Sequence, residues 1–174
     1  MKAASRESNG KWHYSMSLII VEVDDAQALA GELFFTTFGH PIPKFPRHFV
    51  ALQRMDGGAL RVACYIHYTA WDNEAWMCGG LCIDRQAYSR AEPTDAAEWK
   101  RAGGIGEILL RDTLSRLTDR TVFGYCGDAR QWQHDLNVGF VPAGPPHLLV
   151  IWNAVLSEPD KERLVARAAA LGAF

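Results

Sequence analysis

The sequence of 174 residues lacks long hydrophobic runs and has no marked excess of charge of one sign. The apolar run nearest the N-terminus, residues 18–21, is far shorter than the roughly 20 residues that span a bilayer, and it is too short for the core of a signal peptide. The formal net charge of −2 gives no broad basic surface of the kind that binds nucleic acid. We therefore expect a cytoplasmic protein with neither a membrane nor a nucleic-acid partner.

Cysteine is also scarce, and its spacing predicts no metal site. Cys78 and Cys82 are separated by three residues, and no second pair of ligands follows at the spacing of a zinc knuckle. All four cysteines lie in apolar stretches that resemble strands, which favours buried free thiols in a reducing compartment. We expect no metal cofactor.

The composition indicates one globular domain. Hydrophobic residues make up 48% and charged residues 22% of the chain, and the length suits a single core. Residues 1–14 are polar and are predicted to form a flexible tail, so the domain is expected over residues 15–174.

The hydrophobic periodicity predicts a mixed α/β (α+β) fold. Strand and helix patterns alternate in the order strand, helix, three antiparallel strands, helix, strand, helix, strand, helix. Asp56-Gly57-Gly58 between two apolar runs is a hairpin signal, and Asp128 is positioned to cap a helix. One mixed, mostly antiparallel sheet with helices on both faces accommodates this order.

One segment organises the chain's chemistry: Arg101-Ala102-Gly103-Gly104-Ile105-Gly106. It leads directly into an amphipathic helix pattern, and a strand pattern precedes it. The first N–H groups of a helix lie at the positive end of its dipole, and glycine lets an anion approach them closely. The segment therefore predicts a phosphate or pyrophosphate site, with a plain glycine turn as the alternative. No Lys-Ser/Thr pair follows the glycines, which disfavours a nucleotide site.

The pattern Arg101-x-x-Gly104-x-Gly106 before a helix resembles the acyl-CoA pyrophosphate motif of the GNAT superfamily of N-acetyltransferases. The hairpin and third strand resemble the central meander of that family, and Val138-Gly139-Phe140 resembles the end of its next helix. The resemblance extends over roughly residues 48–153. It implies a GNAT-like fold that takes acetyl-CoA or another acyl-CoA as co-substrate and transfers the acyl group to an amine in a ternary complex.

The resemblance also implies cofactor-binding residues. One strand would pair with the pantetheine arm through Leu81, Cys82 and Ile83. The glycine segment would hold the pyrophosphate through Arg101, Ala102, Gly103, Gly104, Ile105 and Gly106. The acceptor would be a small-molecule or peptide amine, and the sequence leaves the oligomeric state open, a homodimer included.

The chain departs from the family pattern in two places. Seventeen residues, 84–100, stand where the family has only a few; they could reshape the substrate side or act as a partial lid. The tyrosine that many members use to protonate the CoA thiolate is replaced by Asp135. This second departure favours an alternative function, a non-catalytic acyl-CoA-binding or regulatory module.

Catalytic candidates follow from the needs of amine acylation. Glu74, at the start of the third strand, is the first candidate for the base that deprotonates the amine, and His67 is the second. His134, Asp135 and Tyr125 are candidates to protonate the thiolate. Each has a structural alternative: an exposed turn carboxylate for Glu74, a half-buried cross-strand partner for His67, solvated helix residues for His134 and Asp135, and a core or rim tyrosine for Tyr125.

Two further features bear on the substrates. The pair Gly79-Gly80 inside the third strand indicates either a gap in strand pairing that would admit the pantetheine arm or a simple bulge. Aromatic side chains that could line an acceptor pocket are Phe38, Phe45, Trp71 and Trp76, with core packing as their alternative role.

Overall fold

In the computed structural model, the described residues are 17–44, 46–71 and 73–173. The predicted tail at residues 1–14 and the candidate pocket residue Phe45 lie outside them. Within the described residues, no helix has both the length and the apolar character needed to cross a bilayer.

The described residues form one seven-stranded sheet in the order β1-β2-β3-β4-β5-β7-β6. All neighbouring strands are antiparallel except β4 and β5, which are parallel. The strands are β1 (Leu18–Val23), β2 (Arg47–Arg54), β3 (Leu60–Trp71), β4 (Ala75–Ile83), β5 (Thr121–Tyr125), β6 (Val141–Pro142) and β7 (Leu148–Ile151). The predicted mixed, mostly antiparallel sheet is confirmed.

Helices cover both faces of this sheet. They are α1 (Ala26–Phe38), α2 (Ala87–Arg90), α3 (Pro93–Arg101), α4 (Ile105–Leu114), α5 (Ala129–Asn137) and α6 (Glu158–Leu171). The carboxylate of Asp128 accepts hydrogen bonds from the N–H groups of Arg130 and Gln131, so the predicted cap of α5 forms. Gly39 ends α1 in the left-handed conformation, with φ 77°.

Buried side chains fall into separate clusters on the two faces. One cluster lies between the sheet and α4 and includes Phe49, Tyr68 and Leu109. Another lies beneath α1 and includes Phe34 and Tyr65. Because β3 contributes to both clusters, its alternating side chains join the two layers of the core.

The insertion at residues 84–100 forms α2 and α3 and belongs to the core. Trp99 is only 1% exposed, and its ring lies 5.8 Å from that of Tyr88. The side-chain amide of Gln53 on β2 donates to the carbonyl of Ala87 at 3.2 Å. The insertion is therefore packed against the core beside the glycine segment. Arg101 is the last residue of α3 and not a loop residue.

Candidate functional site

β4 and β5 diverge in the middle of the sheet. They pair from Ala75 with Thr121 to Cys78 with Gly124, and β4 then continues to Ile83 beside β3 alone. From Gly79 onward, β4 has no β5 partner in its register, whereas β5 remains paired with β7. The divergence leaves the β5-facing edge of residues 79–83 open to a ligand's backbone-like groups.

A bulge lies at the same point of β4. Tyr65 pairs with Cys82 and His67 pairs with Gly79, so β4 has one more residue than β3 over this interval. Gly80 adopts φ 68°, a conformation that glycine accepts without strain. Gly79-Gly80 thus mark both features that the sequence offered as alternatives, the end of pairing and a bulge.

The glycine segment forms a tight turn between α3 and α4. Gly103 and Gly104 have φ 94° and 101°, and the N–H of Gly104 donates to the carbonyl of Trp99 at 2.8 Å. The N–H of Ile105, at the start of α4, donates to the hydroxyl of Tyr88 at 3.0 Å. The insertion therefore supplies an acceptor for one of the N–H groups that the sequence offered to an anion, that of Ile105.

The turn and the end of β4 meet. A Cβ on Gly106 would lie 3.1 Å from Cδ1 of Ile83 and 3.7 Å from Cδ2 of Leu81. A cavity of about 140 Å³ adjoins this junction, between the turn, Ile83 and His134. A second cavity, of about 460 Å³, continues past the turn and is lined by Arg101, Ala102, Gly103, Glu107, Arg111 and Asn137. The open edge of β4 and the positive end of α4 therefore form one continuous surface.

Glu107 is a buried carboxylate under the turn, 4% exposed. It accepts hydrogen bonds from Asn137 Nδ2 at 2.9 Å and from Arg111 Nη2 at 3.2 Å, and its Oε1 lies 2.7 Å from His134 Nδ1. Burial alone would raise the pKa of Glu107, but the hydrogen bonds from Asn137, His134 and Arg111 outweigh it and lower that pKa. A Cβ on Gly103 would overlap the carboxylate and displace it, and the φ of 94° also favours glycine there.

Asp135 is buried on α5, facing the divergence of β4 and β5. Its Oδ1 accepts a hydrogen bond from Gln131 Nε2 at 2.7 Å, and its carboxyl interacts with the Cys126 thiol. It also acts electrostatically on Cys78, the last residue of β4 that pairs with β5. Burial raises the pKa of Asp135 despite the hydrogen bonds that oppose it.

The structure does not bring Glu74 to this site. Glu74 precedes β4 at the end that stays paired with β5, some six extended residues, or about 20 Å, from Gly80. Arg163 binds its carboxylate at 2.6 Å and 3.2 Å, and Arg167 binds it at 2.6 Å. These hydrogen bonds from Arg163 and Arg167 lower the pKa of Glu74 and hold its carboxylate against α6, away from the open edge of β4.

The other sequence candidates lie at different places around the open edge of β4 beyond Cys78, which we call the slot. His134 lies at the glycine turn, bound to Glu107. Tyr125 is the last residue of β5, and its ring lies 5.7 Å from that of His147. His67 lies beside Gly80, on the face covered by α1.

Of the candidate pocket aromatics, Phe38 lies nearest this face. Its ring is 4.7 Å from that of Phe34, which packs on Gly80. Trp71 packs on Phe123, and Trp76 donates to Asp119, so both serve the core and the far end of the sheet.

Three site residues have no recognisable signal in the sequence: Tyr88, Glu107 and Tyr65. Tyr88 lies in a polar stretch without a recognisable pattern. Glu107 reads as an ordinary first-turn acid of α4, and only the packing of α5 buries it. Tyr65 lies in a strand pattern, and that pattern does not reveal its hydrogen bonds to two histidines.

No protein-family model and no curated protein matches the chain, whereas solved structures do match it. A GNAT family acetyltransferase from Elizabethkingia anophelis with acetyl-CoA bound is 12% identical, with a TM-score of 0.55 over 79% of this chain and 99% of that chain. The ribosomal-protein-S5-alanine acetyltransferase from Vibrio fischeri is 10% identical, with a TM-score of 0.52 over 83% and 98%. A GNAT family acetyltransferase from Staphylococcus aureus Mu50 is 13% identical, with a TM-score of 0.50 over 79% and 99%. At these identities the likeness establishes the fold, and the resemblance found in the sequence is confirmed at that level.

Proposed function

We propose that this chain, which has the GNAT fold, is an acyltransferase that moves an acetyl or other acyl group from acyl-CoA to an amine. One observation carries the proposal. β4 continues past its last pair with β5, and its open edge leads to a glycine turn at the start of a helix. An extended amide-containing arm that ends in a diphosphate matches both parts.

The residues at the two parts fit such a substrate. Leu81, Cys82 and Ile83 offer a strand edge to the pantetheine amides. The turn offers helix N–H groups beyond Ile105, and the adjoining cavity is lined by Arg101 and Arg111. The carboxylate of Glu107 would repel a diphosphate. It is, however, hydrogen-bonded by Asn137, His134 and Arg111, which offset its charge.

The acyl-CoA is a substrate here and supplies an activated thioester. Along the open edge, backbone N–H groups of β4 polarise the thioester carbonyl, as in an oxyanion hole. Asp135, a buried carboxyl whose pKa is raised by burial, donates a proton to the departing thiolate. Tyr125 is a second candidate for this donor. His134, bound to Glu107, serves the diphosphate end, and Glu74 receives no role in the chemistry.

The alternative function is an acyl-CoA-binding module without catalysis. The observation that favours it is Asp135 in the position of the family's tyrosine. Release of free CoA thiol with a panel of primary amines separates the two. Binding of acetyl-CoA without any amine-dependent release would favour the module.

The proposal is tested by acetyl-CoA binding, measured by calorimetry and by thermal unfolding. At about 100 times its dissociation constant, a ligand stabilises the native state by about 2.7 kcal/mol, or roughly 5–11 °C for a chain of this size. Gly104→Ala should abolish the shift, because its Cβ would lie at the turn, 3.1 Å from the Tyr88 hydroxyl.

Gly144→Ala is the matched control. Gly144 has the same φ of 101°, and nothing lies within 4 Å of its added Cβ. Both variants place an alanine at a φ of 101°, and only Gly104→Ala does so at the start of α4. An unchanged unfolding temperature of the wild type at saturating acetyl-CoA would refute the proposal.

A further inference from the structure

Three buried side chains form a hydrogen-bonded chain on the face of the sheet beneath α1. Nδ1 of His48 lies 2.9 Å from the hydroxyl of Tyr65, and the same hydroxyl lies 3.2 Å from Nδ1 of His67. His48 is 4% exposed and His67 is 9% exposed, and Tyr65 is fully buried. One phenol therefore links two imidazoles that belong to adjacent strands.

The chain ends at the divergence of β4 and β5. A Cβ on Gly80 would lie 2.5 Å from both Nδ1 and Cε1 of His67 and 2.8 Å from Phe34. Gly80 is the second residue of β4 beyond its last pair with β5. The absent side chain thus lets the His67 ring lie directly against the strand, beside the point where the thioester of the proposed substrate would sit.

The hydrogen bonds decide which ring nitrogen faces a substrate. Nδ1 of His67 is engaged with Tyr65, and Nε2 has no hydrogen-bond partner among residues 17–44, 46–71 and 73–173. When the phenol donates to His48 Nδ1, Nδ1 of His67 donates to the phenol. Nε2 of His67 then carries the lone pair and can accept a proton.

The surroundings keep His67 neutral. Burial is the largest effect on its pKa, and His48 on β2 and His40 after α1 add to it, which lowers the pKa to about 4. Burial also lowers the pKa of His48 and raises that of Tyr65, to which Cys82 on β4 contributes. The titratable groups that act on the His67 pKa are these two histidines, so no carboxylate stabilises the protonated form of His67.

We propose that His67 is the general base that takes the proton from the attacking amine, with Tyr65 and His48 as the positioning residues that relay it. This inference rests on the proposed acyltransferase function. The amine nitrogen forms a bond to the acyl carbon, and the carbon–sulfur bond breaks. The amine's proton goes to Nε2 of His67, and the proton on Nδ1 of His67 passes to the phenol oxygen of Tyr65. The original phenol proton of Tyr65 passes to Nδ1 of His48.

The two proton transfers are separated by the sheet. His67 packs with Phe34 and Tyr65 beneath α1, whereas Asp135 approaches from α5 on the side of Tyr68 and Cys78. The base and the acid therefore reach the slot from opposite faces. That arrangement lets the amine enter on one side while the thiolate is protonated on the other.

The deciding experiment observes the histidine rings directly by NMR of ¹⁵N-histidine-labelled protein. Acetyl-CoA should shift the ring signals of both His67 and His134. Adenosine 3′,5′-bisphosphate, which lacks the pantetheine arm, should shift His134 alone. A shift of His134 without any shift of His67 on adding acetyl-CoA would overturn this inference and leave the proposed function standing. Failure of acetyl-CoA to shift either ring would count against both.

A kinetic measurement separates a base from a merely structural residue. With any primary amine that supports thiol release, His67→Gln should lower kcat by a factor of about 100 or more and leave the dissociation constant of acetyl-CoA unchanged. The defect should shrink as pH rises, because more of the amine is then already neutral. Glu32→Gln, an exposed residue of α1 outside the hydrogen-bonded chain, is the control. Equal kcat in the His67→Gln and wild-type proteins would overturn the inference.

Discussion

Oε1 of Glu107 and Nδ1 of His134 lie 2.7 Å apart and join the start of α4 to α5 beneath the glycine turn. The carboxylate is buried, whereas the imidazole is about half exposed. The turn therefore rests on an ionised acid that is held by groups from two helices. We therefore expect the stability of the turn to fall when Glu107 is protonated at acid pH.

Replacement of Glu107 by glutamine should change how stability depends on pH. The hydrogen bonds lower the pKa of Glu107, so its contribution is present above the unfolded-state pKa and is lost as pH falls through the folded-state pKa. In Glu107→Gln that acid-dependent loss should disappear, and stability at neutral pH should fall by about 1.5–3 kcal/mol. Urea unfolding at several pH values measures both effects. An acid dependence identical to that of the wild type would contradict the assignment.

Asp135→Asn is expected to have opposite effects on stability and on transfer. Burial raises the pKa of Asp135, so the native state favours the protonated form and loses this stability as pH rises through the folded-state pKa. Asparagine does not ionise, and the variant should gain stability over the wild type as pH rises from acid to neutral. Amine-dependent thiol release should fall by a factor of about 100 to 10,000 if Asp135 is the proton donor. Exposed Asp24→Asn serves as the control, and undiminished release would exclude Asp135 as the donor.

Trp99→Ala tests whether the insertion is core or lid. Removal of a buried tryptophan costs about 3–5 kcal/mol. The loss should be seen in urea unfolding without ligand, because Trp99 packs in the main core cluster. Phe35→Ala, a large exposed aromatic on α1, should cost far less. A lid residue would instead alter acetyl-CoA affinity and leave the unfolding of the free protein unchanged.

Glu74→Gln should affect the attachment of α6 and leave substrate binding intact. The carboxylate binds Arg163 and Arg167 from that helix at the surface. Salt screens such exposed pairs, so the thermal midpoint should drop slightly at low ionic strength and match the wild type at high ionic strength. Glu158→Gln, which removes an ion pair within α6, is the control. A loss of acetyl-CoA-dependent stabilisation would return Glu74 to the site.

Local patterns predicted the parts of the fold that depend on local interactions. Asp128 caps α5 because its carboxylate reaches N–H groups two and three residues ahead. The glycine pair in β4 marked a break because glycine alone adopts the φ of Gly80 without strain. The helices of the insertion were largely missed, since a short polar segment shows little periodicity before its tryptophan is seen to be buried.

The composition of the site depends on contacts between distant segments. Glu74 was a reasonable candidate base until α6 supplied arginines from 89 and 93 residues further along the chain. Glu107 became a site residue only through α5, and the link from His48 through Tyr65 to His67 requires the register of β2 on β3. The spacing of residues within one segment does not predict such contacts between distant segments.

The short parallel contact between β4 and β5 has a consequence for cooperativity. β1 to β4 form one antiparallel unit and β5 to β7 form another, and in the described sheet the two units pair only between residues 75–78 and 121–124. The open edge of β4 therefore adjoins the seam between these two units, and we expect the units to open separately. A substrate that bridges the seam would couple them, so amide exchange in β5 and β7 should slow together with that in β4 when the slot is filled.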